Sequence, residues 1–250
     1  MLSAMSFSET LRKPKFWLIA VPVVILLAVV VGPFVYFNVI QEDAPEPLGF
    51  EDITTTTADG STDTTAASTG AGGTTSDGIE GTWEVAAGST AGYRATEVLF
   101  GQTNEAAGRT EDVTGTLEID GTSATTVSIE VDLTTLSSDE SIRDGQVQSR
   151  ILETSQFPTA TFEVTDPVAL PELRNGQVAS IDVTGDLTLH GVTQPVTISL
   201  DVKATGDDFV VQGSAPVVMA DHEIEPPSIG GFVSVSDEGS FEFIVNLARG

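Results

Sequence analysis

Few side chains in this sequence are of the types that take part in ligand chemistry. Arg143 precedes Asp144 in a polar stretch, and a guanidinium group suits both a phosphate and a carboxylate partner. Tyr93 combines an apolar ring with a hydroxyl, so it can close a core or face the ring of a ligand. The residue types leave two roles open for Arg143, a helix ion pair or a contact with a ligand headgroup.

Residues typical of enzymes and metal sites are scarce. The chain has two histidines and no cysteine, which excludes disulfides, zinc–thiolate sites and cysteine nucleophiles. His190 lies in a turn pattern, and His222 stands between Asp221 and Glu223, where neighbours on an extended strand point to opposite sides. The sequence also lacks a Gly-x-Ser-x-Gly elbow and a glycine-rich phosphate loop. We therefore predict no catalytic residue, no metal and no cofactor, with a hydrolytic enzyme as a distant alternative.

The charge of the chain excludes one class of partner. The formal net charge is −27, and the region from Gln41 onward carries seven basic and 36 acidic residues. Nucleic-acid binding depends on Lys and Arg that neutralise phosphates, so we predict no nucleic-acid partner. The same charge repels an anionic membrane surface.

Short alternating strands must position these side chains. From about Gly81 to the C-terminus apolar and polar residues alternate, with glycine and Asx residues between the runs. In residues 185–200, Leu187 and Leu189 share one side of a run, and Ile198 lies on the dry side of the next. This pattern predicts a β-hairpin within an all-β antiparallel sandwich or barrel of about eight to ten strands.

One stretch interrupts the strands and predicts a short crossover helix over roughly residues 139–152. Ser137 precedes Glu140 by three positions, which is capping-box spacing. Asp139 and Arg143 are four residues apart, the spacing of a helical ion pair.

The N-terminal part of the chain predicts a membrane anchor and a tether. Residues 16–40 form a run of 25 residues without a charge, which is long enough to span a bilayer and too long for the apolar region of a signal peptide. Basic residues before it and acidic residues after it predict a cytoplasmic N-terminus, residues 1–15. Residues 41–78 are rich in Thr, Ser, Gly and Asp, and we expect a disordered tether. The folded domain then covers residues 79–250, outside the cytoplasmic membrane.

The stretch "IRDGQVQSRILETSQFPTATFEVTDPV", followed by "GDLTLHGVTQPVTISLDV", resembles the YceI-like family. The likeness covers about residues 81–250 and neither the anchor nor the tether. It implies a lipocalin-like antiparallel barrel with an elongated apolar tunnel, similar to those that hold polyisoprenoid chains such as quinone side chains or prenyl phosphates.

With such a tunnel the predicted partner is an isoprenoid lipid or quinone, and the predicted lining is Tyr93, Ile129, Val131, Arg143, Phe162, Leu187, Leu189, Ile198 and Phe241. Alternation is the same whether side chains or a ligand fill a barrel. The alternative is a filled-core β domain that acts as a cell-envelope interaction or stress-response module. The sequence does not set the oligomeric state.

Overall fold

A computed structural model of the chain describes residues 44–52, 78–229 and 233–250. The predicted anchor, residues 16–40, lies outside these ranges. Within them, every helix is too short or too polar to cross a bilayer.

The described residues form thirteen strands and one short α-helix. The helix, α1, spans Ser141–Gln146 and continues into a π-helical turn, Val147–Ile151. Short 3-10 turns occur at Phe50–Asp52, Leu133–Thr135 and Met219–His222. The strands are β1 (Gly81–Val85), β2 (Thr90–Leu99), β3 (Gln102–Thr110), β4 (Val113–Asp120), β5 (Ser123–Asp132), β6 (Ser137–Ser138), β7 (Thr159–Val164), β8 (Val168–Ala169), β9 (Val178–Leu189), β10 (Val192–Thr205), β11 (Asp208–Val218), β12 (Ser228–Ile229) and β13 (Val233–Arg249).

Antiparallel pairing closes eight of these strands into a barrel. The order is β1-β4-β5-β7-β9-β10-β11-β13, and β13 pairs back with β1. Strands β2 and β3 extend the same wall beyond the end of β1, because β2 also pairs with β13. The predicted all-β barrel of about eight to ten strands with a crossover helix is therefore confirmed.

The hairpin predicted in residues 185–200 is present. Strands β9 and β10 pair from Leu189 and Val192 outward. The two residues between them, His190 and Gly191, have φ of 52° and 75°. Positive φ at both central positions is the two-residue turn that matches the twist of paired strands.

The crossover helix begins later than predicted, and the predicted capping box is wrong. Ser137 and Ser138 pair with Arg109 and Gly108 of β3, so Ser137 is held in a ladder and cannot cap. The N-cap is Glu140, whose side chain makes no capping hydrogen bond. The predicted ion pair between Asp139 and Arg143 is present.

Residues 44–52 differ from the disordered tether expected there, because they form a clasp across the outside of the barrel. Arg94 Nη2 donates to the Pro45 carbonyl at 2.7 Å, and Arg109 Nη2 donates to the Glu46 carbonyl. Farther along the clasp, Lys203 Nζ lies 5.3 Å from the centroid of the Phe50 ring. The contacts join three strands, β2, β3 and β10, which lie on both sides of β11 and β13.

Two buried apolar side chains on the outer face lie on the strands between the contacts of the clasp. Val211 and Val245 face the interior, so their neighbours Val210 and Ile244 face outward. Both outward side chains are nevertheless buried, at 5% and 1% exposure. They lie on β11 and β13, between the strands that hold the clasp.

We expect the clasp to contribute to stability. A chain that starts at residue 53 should unfold more easily than one that starts at residue 44, by about 1–3 kcal/mol, because Arg94, Arg109 and Lys203 lose their partners in the clasp. Urea unfolding of the two chains measures the difference. Equal midpoints would show that residues 44–52 lie on the barrel without stabilising it.

Candidate functional site

The barrel encloses a cavity of about 440 Å³. This is roughly three times the ~150 Å³ engineered cavity that takes up benzene, and it falls in the usual range for ligand pockets. Inward-facing residues of the eight barrel strands form its wall, which is almost wholly aliphatic and aromatic; they include Leu117, Val127, Val183, Leu200, Phe209, Val211, Phe243 and Leu247.

The two ends of the barrel differ. At one end a packed cluster fills the interior beneath the crossover; its buried members include Leu133, Leu136, Val147, Leu152, Leu189, Val217 and Ile224. We call this cluster the plug. At the other end three charged residues that are exposed to solvent also line the cavity, namely Glu172, Asp207 and Arg249. The cavity therefore reaches solvent at this end, the mouth.

The structure divides the predicted lining residues between this cavity and a smaller one. Those on the wall of the large cavity are Ile129, Val131, Phe162, Leu187, Ile198 and Phe241. Tyr93, Arg143 and Leu189 instead line a second cavity of about 80 Å³ beside the plug, which Phe241 also lines. Eight of the nine lie on strands and line at least one of the two cavities, whereas Arg143 lies on α1. Period-two alternation predicts the face of a strand residue, but it contains no information about depth along the barrel.

Trp83 is a wall residue that the predicted set omits. Its side chain is 1% exposed, its Nε1 donates to the Ile79 carbonyl at 2.9 Å, and its ring meets Phe209 edge-on at 4.8 Å. Arg249 lies over the same ring, 5.0 Å from the centroid. Trp83 starts the alternating pattern of the domain, so the sequence contained the signal that would have placed it on the inward face.

Arg143 belongs to a buried ion pair. Its Nη2 lies 2.9 Å from Glu97 Oε1, and the two side chains are 13% and 8% exposed. Burial disfavours the guanidinium charge, but hydrogen bonding and attraction from Glu97 outweigh it and raise the pKa of Arg143. Asp144 does not pair with Arg143 in this way; its Oδ1 accepts hydrogen bonds from the backbone and hydroxyl of Ser138, at 2.8 and 2.6 Å.

The ring of Tyr93 lies across Gly108 on the neighbouring strand. A Cβ at Gly108 would stand 2.4 Å from Tyr93 Cε1, so only glycine leaves room for the ring. The Tyr93 hydroxyl is buried and has no hydrogen-bond partner among the described residues. Ser138 lies nearby, but its Oγ is engaged with Asp144.

We expect Tyr93 to titrate late. Burial raises the pKa of its phenol to about 12 from 10.0, against a lowering effect from Arg143. The pKa of Tyr93 is higher in the folded chain than in the unfolded chain. The stability that the neutral phenol contributes is therefore complete below pH 10 and is lost between about pH 10 and 12. Near-ultraviolet titration of the chain against its Tyr93→Phe variant isolates this phenol from Tyr36. A midpoint near pH 10 would contradict the burial described here.

Neither histidine lines either of the two cavities described above. His190 contacts Glu153 and the His222 carbonyl through its two ring nitrogens, at 3.3 and 3.2 Å, and its ring packs on Phe157. His222 is 2% exposed, and its Nδ1 lies 3.1 Å from the Val192 carbonyl. These contacts fasten the β9–β10 turn to the connection before β12. Among the described residues, no three His, Asp or Glu side chains are grouped as metal ligands.

Comparison with known proteins identifies the family of this barrel. The model of the YceI-like domain matches residues 83–247, which is well over half of the chain. The chain belongs to the YceI-like family. The match starts at Trp83 and ends at Leu247, so it covers the barrel strands and the crossover.

Curated relatives of this YceI-like domain are bacterial. A UPF0312 protein of Vibrio parahaemolyticus is 40% identical over 83 residues, which are 33% of this chain and 41% of the relative. A UPF0312 protein of Pseudomonas aeruginosa is 38% identical over 104 residues, 40% of this chain and 51% of the relative. The chain thus matches about half or less of the length of these relatives.

A solved structure has the same fold. It is a polyisoprenoid binding domain from Saccharophagus degradans implicated in plant cell wall breakdown, and it matches with a TM-score of 0.56 at 20% identity. The alignment covers 67% of this chain and 98% of that domain. At this identity the likeness establishes the YceI-like barrel and leaves the ligand to be argued from the cavity.

Proposed function

We propose that this chain is a membrane-anchored, extracytoplasmic YceI-like protein whose barrel binds a polyisoprenoid or a similar long apolar lipid. The observation that carries the proposal is the 440 Å³ cavity with a wall built from aliphatic and aromatic side chains. An apolar cavity of this kind stays dry and takes up apolar ligands. A barrel with one closed end and one mouth suits a chain-like molecule that enters end first.

The cavity supports the lipid-binding function over the filled-core alternative. The plug fills the end beneath the crossover, and a second cluster that includes Trp83, Val245 and Leu247 packs along the wall of the cavity. If the whole interior were a core, side chains would fill it to the density of protein interiors. The large inward residues Phe209 and Phe243 instead stand on the wall of an open space.

The location of the protein rests on the N-terminal sequence. The uncharged run at residues 16–40 has basic residues before it and acidic residues after it, which favours a single span with the barrel outside the cytoplasm. N-terminal sequencing of the mature protein tests this part. A mature chain that begins after residue 40 would show that residues 16–40 belong to a cleaved leader and not to an anchor.

Ligand binding should be visible as stabilisation. In mild detergent, a long-chain isoprenoid quinone should raise the Tm of the full chain, since a ligand at one hundred times its Kd stabilises a native state by about 2.7 kcal/mol. Native mass spectrometry of the purified protein should also show lipid that has copurified. The absence of both effects would contradict lipid binding and favour the filled-core module.

A further inference from the structure

The charges around the cavity indicate which isoprenoids it accepts. We propose that the large cavity selects isoprenoids whose polar end is uncharged, and that this end lies at the mouth beside Glu172 and Asp207. The inference rests on the proposed lipid-binding function and narrows the class of ligand. Prenyl phosphates and neutral isoprenoids share the same apolar chain, so only the headgroup can distinguish them.

A prenyl phosphate needs cationic or other strong donors for its headgroup. Phosphate sites in proteins are built from Arg, Lys or clustered backbone N–H groups. The region from Gln41 to the C-terminus has only seven basic residues, which are Arg94, Arg109, Arg143, Arg150, Arg174, Lys203 and Arg249. Arg249 alone of these lines the large cavity, whereas Arg94 and Arg143 line the small cavity beside the plug.

Five of these residues, Arg94 among them, are absent from the wall of the large cavity. Arg94 and Arg109 pair with Glu242 under the clasp, at 3.3 and 3.1 Å. Lys203 lies against Phe50 of the clasp. Arg150 and Arg174 are exposed and form no part of either cavity wall.

The remaining two cationic groups, Arg143 at the small cavity and Arg249 at the mouth, are both engaged. At the plug end, Arg143 pairs with Glu97 and with Asp139. At the mouth, Arg249 donates to the Gly78 carbonyl and, at 2.9 Å, to the Glu80 carbonyl while it covers the Trp83 ring. Two carboxylates balance the charge of Arg143, and the carbonyl and ring contacts hold Arg249 against Trp83.

The mouth itself is acidic. Glu172 and Asp207 stand on its rim with Arg249 as the single cation of the lining. The lipid tail must occupy the apolar barrel, and the plug blocks the far end, so the polar end of the ligand lies at this rim. An anionic headgroup would meet two carboxylates there, whereas a hydroxyl or carbonyl headgroup would meet solvent and hydrogen-bonding groups.

A matched pair of probes tests the inference on the full chain in mild detergent. Geranylgeraniol and geranylgeranyl phosphate have the same chain and differ in headgroup charge. We expect the alcohol to raise the Tm and to bind at least tenfold more tightly than the phosphate. Higher salt should reduce this difference in affinity, because salt screens repulsion at an exposed rim.

Equal or tighter binding of the phosphate would overturn the inference and leave the lipid-binding function intact. If neither probe raises the Tm, the proposed function itself fails.

Charge variants test whether the carboxylates at the mouth cause the preference for the alcohol over the phosphate. The double variant Glu172→Lys with Asp207→Lys should lower the preference for the alcohol over the phosphate by tenfold or more. Its matched control is Glu130→Lys with Glu163→Lys, which makes the same change in net charge on the exposed outer wall of β5 and β7. The control should leave the preference unchanged. An equal effect of the two doubles, or no effect of the mouth variant, would refute placement of the polar end at the mouth.

Discussion

Replacing Ile198 with tryptophan should abolish most of the lipid-induced rise in Tm while the barrel remains folded. Ile198 is 3% exposed, yet it faces the 440 Å³ cavity on the wall of β10. The added ring can therefore extend into empty space, and we expect its cost in stability to stay below about 1 kcal/mol. Thermal unfolding with and without a long-chain isoprenoid measures both effects in one experiment.

Leu189→Trp is the matched control on the neighbouring strand of the same hairpin. Leu189 is 2% exposed and belongs to the plug, where it packs with other buried apolar side chains. Overpacking a filled region costs about 1–3 kcal/mol. We therefore expect Ile198→Trp to lose the lipid-induced rise in Tm while the barrel stays stable. We expect Leu189→Trp to destabilise the barrel. Strong destabilisation by both substitutions, with no lipid response in the parent chain, would show that the interior is packed throughout.

The second large effect concerns the buried ion pair. Arg143→Met should destabilise the domain by about 3–5 kcal/mol, because it leaves the Glu97 carboxylate buried without its partner. For a domain of this size that corresponds to a fall in Tm of roughly 10 °C. Thermal and urea unfolding both report the loss.

A double variant separates the pair from its surroundings. Arg143→Met combined with Glu97→Leu should recover most of the stability, since removing both charges of a buried pair is often neutral. Arg150→Met on the same crossover should change stability by less than about 0.5 kcal/mol, because Arg150 is exposed. If Arg143→Met left stability unchanged but weakened lipid binding, Arg143 would face a ligand, contrary to the contacts described here.

The sequence by itself determined the strands and the inward face of the barrel. Alternation with period two places Leu187 and Ile198 inside without any tertiary information, because successive residues of a strand point to opposite sides. The two residues His190 and Gly191 fix the hairpin, since a two-residue turn with positive φ sets the register of both strands. Family motifs in the crossover and this hairpin then identified the YceI-like domain.

Only the tertiary structure decided how deep each side chain lies and what it meets. Leu189 and Ile198 have the same pattern in sequence, but Leu189 packs in the plug beside the small cavity, whereas Ile198 faces the large cavity. Arg143 finds Glu97 at a separation of 46 residues, which no local spacing predicts. Residues 44–52 read as a polar linker, yet they bind across strands distant in sequence. In each case the deciding contact is between parts of the chain that only closure of the barrel brings together.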